Sequence, residues 1–248
     1  MKLLPLGTGG YHPSETRHTA CYFLPESALV LDAGTGFFRI PRYLRSDELT
    51  IFLSHAHFDH IIGLTYLLGF QETRGLKRVD VYGTPETLAA IEAHLFVEPV
   101  FPTRPRMELR PLAPEPCIIV SQGAKVTWFP LRHRGLSLGF RIDWPNKSLA
   151  YLTDTTIAGS REVLQAIRGV DLLLHECYFP DGYDAVAERT GHSCLSAVLE
   201  LARDAAVKRL GLIHLNPLLD RDEKLGLEDK SDLFPNTFIA CDLMEVEF

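Results

Sequence analysis

The sequence predicts a mixed α/β fold in which two sheets pack face to face with helices on the outside. Two observations support this prediction. The first half of the 248-residue chain alternates short apolar runs with turns and helical patterns. The second half opens with three β-rich runs and then returns to alternating strands and helices, so each half supplies a sheet of its own.

The strands are predicted from apolar and β-branched runs that turn residues separate. In the first half these runs are KLLPL, CYFLP, ALVLDAG, TIFLS and VDVYGT. In the second half KVTWFPLRH, LSLGFRID and SLAYLTD predict an antiparallel meander, and DLLLHEC and RLGLIHLNP predict further strands. Helical patterns lie in GFFRIPRYL, IIGLTYLLGFQE, PETLAAIEAHLF, SREVLQAIRG and CLSAVLELARDAA.

A proline-rich stretch interrupts this alternation between residues 97 and 116. Its six prolines predict an extended loop with little regular helix, because proline has no backbone N–H and a fixed φ. A loop of this length inside a compact domain is usually functional or mobile. The arginines in it, Arg104, Arg106 and Arg110, could contact an anionic substrate. The alternative is a solvated loop that covers a sheet edge or contacts a dimer partner.

The composition favours one domain spanning residues 1–248, because 46% of the residues are hydrophobic and no linker divides the chain. The net charge of −7 disfavours binding to long nucleic acid, which depends on clustered Lys and Arg. The N-terminal stretch MKLLPLGTGG resembles neither a signal peptide nor a membrane anchor, and no apolar run has the length of a membrane span. Five cysteines, an odd number without paired metal spacing, predict free thiols in a reducing cytoplasm.

The stretch SHAHFDH, at the end of the predicted strand TIFLS, gathers metal-binding side chains in one turn. It contains His55, His57, Asp59 and His60. Imidazole suits zinc and other first-row divalent ions, whereas a carboxylate suits a harder ion or a bridging position. Packing gives no reason to crowd such polar groups together. This short loop could therefore face two metal ions, and further ligands must come from elsewhere in the chain.

Three residues of the same chemistry end later predicted strands. His133 ends KVTWFPLRH, Asp154 ends SLAYLTD, and His214 lies near the end of RLGLIHLNP. Strand ends lie at the rim of a sheet, where α/β proteins bind their ligands. We therefore expect these three residues to complete the metal site. The isolated histidines are expected to be ordinary core or surface residues: His12, His18 and His94.

A series of stretches along nearly the whole chain carries a family resemblance. They are GTGGYHPSETRHT, LVLDAG, SHAHFDHIIGL, RHRGLSLGFRI, YLTDT, LLLHECYF, GHSCLSA, LIHLNP and IACDLMEVEF. They resemble the metallo-β-lactamase superfamily, above all its ribonuclease Z type and the small cyclic-phosphate phosphodiesterases of the phosphonate pathway. The resemblance implies a four-layered αβ/βα sandwich with the metal ions at one edge of the two sheets.

The resemblance also implies two divalent metal ions, with zinc expected and manganese or iron as alternatives. The implied ligands are His55, His57 and His133 for the first ion and Asp59, His60 and His214 for the second, with Asp154 bridging both. His192 in GHSC resembles the histidine that these phosphodiesterases hold near the leaving group. Glu176 in HEC resembles the glutamate that orients this histidine, whereas His175 is assigned a structural role.

The chain departs from the patterns of related enzymes. It has no insertion like the long glycine-rich arm with which ribonuclease Z binds the elbow of tRNA, and this weakens the RNA-processing interpretation. It also has no C-x-C stretch like the structural zinc site of the small phosphodiesterases. No stretch of the printed sequence resembles the helical C-terminal domain of glyoxalase II. Where common class B β-lactamases place a cysteine ligand, this chain offers Asp59 and His60.

The sequence thus predicts a metal-dependent hydrolase, in first place a dinuclear phosphodiesterase that uses a metal-bridging hydroxide. His192 is expected to protonate the leaving alkoxide and Glu176 to hold this histidine, while Asp59 binds a metal ion and accepts a hydrogen bond from the hydroxide. Three alternatives stay open: a carboxyl-ester, thioester or lactone hydrolase, a ribonuclease Z-like tRNA 3′-processing endonuclease, and a scaffold protein without turnover. The expected partner is a small anionic or nucleotide-like diester, without a membrane, and a homodimer is left open.

Overall fold

The computed structural model describes residues 1–113, 117–157, 161–219 and 225–248. The strands are β1 (Lys2–Gly7), β2 (Cys21–Leu24), β3 (Leu29–Leu31), β4 (Glu48–Phe52), β5 (Arg78–Gly83), β6 (Glu108–Pro111), β7 (Ile118–Val120), β8 (Ala124–Leu131), β9 (Ser137–Trp144), β10 (Lys147–Leu152), β11 (Leu172–Glu176), β12 (Leu210–Ile213), β13 (Thr237–Ile239) and β14 (Val246–Glu247).

The α-helices are α1 (Ile40–Tyr43), α2 (Phe58–Ile61), α3 (Leu67–Arg74), α4 (Pro85–Ala90), α5 (Arg161–Ile167), α6 (Asp184–Thr190) and α7 (Leu195–Asp204). The 3-10 segments are Pro25–Ser27, Thr35–Arg39, Ile62–Tyr66, Ser121–Gly123 and Glu228–Leu233, and Ile91–Leu95 forms a π-helical turn. In the part of the chain that the structure describes, no helix is long and apolar enough to cross a membrane.

Two compact units divide the chain, and each has its own sheet and core. Unit 1 comprises Met1–Pro116, Val120–Gln122 and Cys241–Glu247. Unit 2 comprises Cys117–Ile119, Gly123–Ala240 and Phe248. The single domain over residues 1–248 stays a prediction.

Unit 1 contains a seven-stranded sheet in the order β14-β1-β2-β3-β4-β5-β6. The pairs from β14 to β3 are antiparallel, and the pairs from β3 to β6 are parallel. Leu6, Phe23 and Ile51 of this sheet are buried in one apolar cluster with Leu64 and Leu67 from the helical segments. Because β3 and β4 are parallel neighbours, the residues that follow them emerge at the same sheet edge.

A carboxylate from the last segment of unit 1 anchors the loop between β1 and β2. Asp242 accepts hydrogen bonds from Thr8 N at 2.9 Å, Thr8 Oγ1 at 2.8 Å and His18 N at 2.8 Å. Arg39 donates to the same carboxylate at 2.6 Å. Hydrogen bonds to a charged acceptor are stronger than neutral ones, so Asp242 fixes both ends of the loop.

Unit 2 contains a second seven-stranded sheet, in the order β13-β12-β11-β10-β9-β8-β7. Strands β8, β9 and β10 form the predicted antiparallel meander, and β10 to β13 are parallel. Leu173 and Leu212 of the sheet are buried with Val198 and Leu199 of α7, whose apolar residues line one helix face. The ends of β10, β11 and β12 therefore meet at one edge of this sheet.

The predicted strands and helices are found, and the differences concern short elements. Helix α6 and strands β7, β13 and β14 were not predicted. The proline-rich stretch is irregular over residues 101–107, but the prediction of a loop is wrong for Glu108–Pro111, which forms β6. A proline is tolerated there because β6 is the edge strand of its sheet. Pro114 and Pro116 lie outside the described residues.

Candidate metal centre

In unit 1 the loop from β4 to α2 brings its three histidine rings together. The ring centroid of His55 lies 4.4 Å from that of His57 and 4.3 Å from that of His60. His55 and His60 are buried, whereas His57 is exposed. The turn after β4 places the first two rings, and the first turn of α2 supplies the third. The arrangement agrees with the prediction of one loop that could bind metal.

Asp32, directly after β3, orients two of these rings and was not assigned a role from the sequence. Its Oδ2 accepts a hydrogen bond from His60 Nδ1 at 2.8 Å and one from Ser54 Oγ at 2.7 Å. Ser54 Oγ in turn accepts a hydrogen bond from His55 Nδ1 at 3.0 Å. Since Nδ1 donates in both rings, the neutral rings carry their lone pairs on Nε2. A carboxylate behind a histidine is the usual support of a metal ligand.

Asp59 lies next to His60 at the start of α2. Its Oδ2 lies 3.3 Å from His60 Nε2 and accepts a hydrogen bond from the backbone N–H of Tyr11 at 2.8 Å. A carboxylate oxygen and an imidazole lone pair at this separation can bind one cation together. The loop between β1 and β2 therefore fixes the carboxylate that the family resemblance assigns to the second metal ion.

In unit 2 both oxygens of Asp154 face histidines. Asp154 Oδ2 lies 3.6 Å from His133 Nε2, and Asp154 Oδ1 lies 3.1 Å from His214 Nε2. His133 Nδ1 donates to the carbonyl oxygen of Gly191 at 2.9 Å, which again leaves the lone pair of the neutral ring on Nε2. Thr153 Oγ1 donates to Asp154 Oδ1 at 2.7 Å. One oxygen for each histidine is the arrangement that a bridging carboxylate needs.

Glu176, at the end of β11, holds His192 in place. Glu176 is fully buried, and its Oε1 accepts hydrogen bonds from His192 Nδ1 at 3.0 Å and from Thr155 N at 2.8 Å. The ring of Tyr178 stacks on that of His192, with centroids 4.5 Å apart and an interplanar angle of 17°. The His192 ring is thus fixed by a carboxylate at one nitrogen and by an aromatic face, so its Nε2 has a defined direction.

The ligand candidates of unit 2 and His192 lie close together. One side-chain atom each from Asp154, His192 and His214 lies within 4.8 Å of the others. His175, the neighbour of Glu176 on β11, is fully buried and donates from Nδ1 to the carbonyl oxygen of Glu176 at 2.7 Å. Burial lowers the pKa of His175, so it is neutral at pH 7. This environment fits the structural role expected for His175.

Four residues around these side chains have left-handed backbone. The φ angles are 63° for Tyr11, 58° for Asp32, 44° for Asp154 and 50° for His214. Left-handed conformations of residues other than glycine are uncommon, and they concentrate at functional sites where surrounding contacts enforce them. Four of the eight non-glycine residues with positive φ in the described part of the chain therefore carry or support the candidate ligands.

The remaining charged candidates have other contacts. Arg104 and Arg110 of the proline-rich stretch pair with Glu92 at 2.8 Å and with Asp80 at 2.6 Å. These ion pairs favour the alternative in which the stretch covers a sheet edge. The isolated histidines have surface or local contacts: His12 with the Pro13 carbonyl, His18 with Thr35 Oγ1, and His94 on an exposed helical turn.

Comparison with known proteins places this chain in a family. A family model described as a beta-lactamase superfamily domain matches residues 28–215. The chain belongs to this superfamily. Among relatives of this superfamily member, the ribonuclease Z of Gemmatimonas aurantiaca is 27% identical over 98% of this chain and 94% of its own length. That alignment runs over 296 positions, more than the 248 residues of this chain, so the relative contains segments without a counterpart here.

Solved structures of the same fold resemble this superfamily member over nearly its full length. The metallo-β-lactamase fold protein YhfI from Bacillus subtilis is 20% identical, with a TM-score of 0.84 and coverage of 99% of both chains. A diphosphatase from the PhnP family is 21% identical, with a TM-score of 0.76 and coverage of 100% of this chain and 96% of its own. The predicted αβ/βα sandwich and the predicted hydrolase of this fold are thus confirmed.

Proposed function

We propose that the protein is a phosphodiesterase that binds two divalent metal ions. His55, His57 and His133 are assigned to the first ion, Asp59, His60 and His214 to the second, and Asp154 to both. The nitrogen and oxygen donors fit zinc, manganese or iron, and the neutral rings of His55, His60 and His133 have the tautomer that leaves Nε2 able to bind. Zinc is our first choice among these ions.

The observation that carries the proposal is the pair of Glu176 and His192 beside Asp154 and His214. Bound divalent ions would supply charge neutralisation for a phosphoryl group and a nucleophilic hydroxide at neutral pH. An alkoxide leaves poorly without a proton, and a histidine near the leaving group can provide one. The buried carboxylate of Glu176, 3.0 Å from His192 Nδ1, fixes the ring so that Nε2 points away from it. Asp59 completes the proposed catalytic set by positioning the attacking oxygen.

Substrates with different leaving groups test the role of His192. We expect His192→Ala to reduce hydrolysis of dialkyl phosphodiesters about 10²–10⁴-fold, whereas nitrophenyl diesters lose much less because nitrophenolate leaves without a proton. His94→Ala, at an exposed position, is the control and should behave as the wild type. Equal losses on both substrate types would exclude the general-acid role. The metal content of His192→Ala separates this role from metal binding, because a ligand variant would also lose an ion.

Metal analysis tests the bridging role of Asp154. The Asp154→Ala variant should lose tight binding of at least one of two ions, because its two oxygens face His133 and His214 separately. A variant that still retains two tightly bound ions after dialysis would contradict the bridge. A panel of diesters, lactones and thioesters tests the chemistry itself, and faster turnover of lactones or thioesters would favour carbon over phosphorus.

A second candidate function is 3′-processing of tRNA precursors, which the ribonuclease Z relative favours. Against it stands the shorter length of this chain and its net charge of −7. We therefore propose a small anionic or nucleotide-like diester as the substrate. Cleavage of a precursor tRNA at its 3′ side by the purified protein would instead favour tRNA processing over this proposal. The cytoplasmic location and the homodimer stay predictions, and sedimentation of the purified protein tests the second.

A further inference from the structure

We infer that Phe179 and Tyr183 form a subsite for an aromatic, uncharged leaving group, such as the nucleoside of a nucleoside alkyl phosphodiester. The inference rests on the proposed function, because it uses His192 to define where the leaving group departs. It goes further by stating which side of the diester carries the aromatic ring. The supporting observations all lie within unit 2.

The aromatic rings extend outwards from His192. The ring of Phe179 lies 6.4 Å from that of His192, and the ring of Tyr183 stacks on Phe179 with centroids 5.7 Å apart and an interplanar angle of 10°. In a nucleoside, a pentose joins the leaving oxygen to a planar base, and it spans about the distance between the rings of His192 and Phe179. The stack is therefore placed to contact the base of a nucleoside whose sugar oxygen is being protonated.

The ring of Tyr183, the outer ring of this stack, is accessible to a ligand, and hydrogen bonds hold its backbone in place. Tyr183 is 51% exposed although one side of its ring is against Phe179. Its carbonyl oxygen accepts hydrogen bonds from Val186 N and Ala187 N, both at 2.9 Å, at the start of α6. The backbone of Phe179 pairs with Ser193 and Leu195 through two hydrogen bonds of 3.2 Å. A fixed, half-exposed aromatic face is what base stacking uses in proteins that bind nucleic acid bases.

The charges around the stack select against a second phosphate. Asp181 and Asp184 on either side of Tyr183 are exposed. Lys230 Nζ lies 3.5 Å from Asp181 Oδ2, so this lysine offsets the charge of Asp181, and the charge of Asp184 remains to repel an anionic group. A neutral nucleoside is tolerated beside these carboxylates, whereas a leaving group with a further phosphate is repelled. This charge arrangement favours a small diester over an oligonucleotide.

The subsite fixes which ester bond breaks. In a diester of methanol and the 5′-oxygen of thymidine, hydroxide attacks phosphorus and the bond from phosphorus to the thymidine oxygen breaks. The electron pair of that bond stays on the 5′-oxygen, which takes a proton from His192. The products are thymidine and methyl phosphate. With the nucleoside on the opposite side, the products would be thymidine 5′-phosphate and methanol.

The experiment uses this diester and its 5,6-dihydrothymidine counterpart, whose base has similar size and polar groups but is not aromatic. For the metal-loaded wild type we expect thymidine and methyl phosphate as products, and a preference for the aromatic diester. Tyr183→Leu should lower kcat/KM for the thymidine diester about 5- to 100-fold through KM, and remove most of the preference. Tyr183→Phe keeps the ring and should retain the preference of the wild type.

The outcomes separate the inference from the proposed function. Hydrolysis of both diesters with a preference that Tyr183→Leu leaves unchanged would overturn the subsite alone. Thymidine 5′-phosphate and methanol as the main products would overturn its position on the leaving side. No hydrolysis of either diester would overturn the proposed function, and the subsite with it. A preference lost in Tyr183→Leu and kept in Tyr183→Phe, with methyl phosphate released, would establish the subsite.

Discussion

Replacing Asp32 by Asn is expected to weaken metal binding in unit 1 without disturbing the fold. In the wild type Ser54 N donates a hydrogen bond to Asp32 Oδ1 at 2.7 Å, and the amide oxygen of Asn can accept this bond in its place. Asn also tolerates the left-handed φ of 58° at this position. The amide NH2 then faces His60 Nδ1, which donates to Asp32 Oδ2 in the wild type. Two donors cannot share a hydrogen bond, so the His60 proton moves to Nε2, the atom that should bind the metal ion.

The size of the effect follows from the contacts that change. Loss of a carboxylate that supports a metal-binding histidine typically lowers metal affinity about 10–100-fold. The lost hydrogen bond to a buried charged acceptor also costs about 1.5–3 kcal/mol of stability in the metal-free protein. The hydroxyl of Ser54 can turn to accept a hydrogen bond from the new amide. It then no longer donates to residue 32, so the chain of hydrogen bonds from His55 Nδ1 through Ser54 Oγ to residue 32 is broken. His55 and His60 should therefore both be affected.

Competition with a chromogenic chelator measures the zinc affinity, and chemical unfolding in the presence of a strong chelator measures stability. Asp80→Asn is the matched control, because Asp80 is also a low-exposure carboxylate of unit 1, and its ion pairs are with Arg78 at 2.9 Å and Arg110 at 2.6 Å instead of with a loop histidine. We expect both variants to lose stability and only Asp32→Asn to lose affinity. Wild-type zinc affinity in Asp32→Asn, or an equal loss in both variants, would refute the tautomer argument.

Three further predictions concern unit 2 and the thiols. In Gly191→Ala the new Cβ would lie 2.5 Å from His133 Nδ1 at a φ of 86°, so we expect the free energy of unfolding to fall by about 2–4 kcal/mol. Gly182→Ala is the control, with an expected loss of about 1–2 kcal/mol, because its φ is 89° and no atom lies near the new Cβ. Similar losses of the two variants in chemical unfolding would contradict the clash with His133. Burial lowers the pKa of His175 in the folded protein, so the unfolded chain binds a proton first and stability falls as the pH drops below about 6.5. His175→Gln should therefore lose less stability than the wild type between pH 7.5 and 5.5. Equal losses of the variant and the wild type would be evidence against this. Burial raises the pKa of Cys194 to about 11, so at pH 8 a thiol reagent should label it only after unfolding. The thiols that should react at once in the folded protein are Cys117 and Cys241.

Strand ends were the part of the candidate site that could be predicted from the sequence. His133 follows β8 and Asp154 follows β10, and the structure places them 3.6 Å apart between Nε2 and Oδ2. Asp32 carries the same signal, because it follows the buried run of β3, and the stretch LVLDAG was noted without a role for its carboxylate. A carboxylate at the end of a strand is therefore a signal that the sequence contains for Asp32 as well.

Other partners could not be predicted because they depend on contacts between distant segments. The carbonyl oxygen of Gly191 that orients His133 is 58 residues away in the chain, and no side-chain pattern marks a carbonyl. The stacking of Tyr178 on His192 depends on the turn between β11 and α6. Helix α6 itself has a mostly exposed sequence, so it lacks the apolar period that predicts a helix. Strands of two or three residues are likewise too short to show alternation.

The position of Asp242 in the chain has a consequence for synthesis on the ribosome. The loop that presents Tyr11 to Asp59 is anchored by this carboxylate, which emerges only after residues Gly123–Ala240 of unit 2 have been made. Translation proceeds from the N-terminus. Unit 1 therefore lacks its segment Cys241–Glu247 while the main segment of unit 2, Gly123–Ala240, is already complete. The nascent chain therefore contains the histidine loop after β4 long before it contains the carboxylate that anchors the loop beside Asp59.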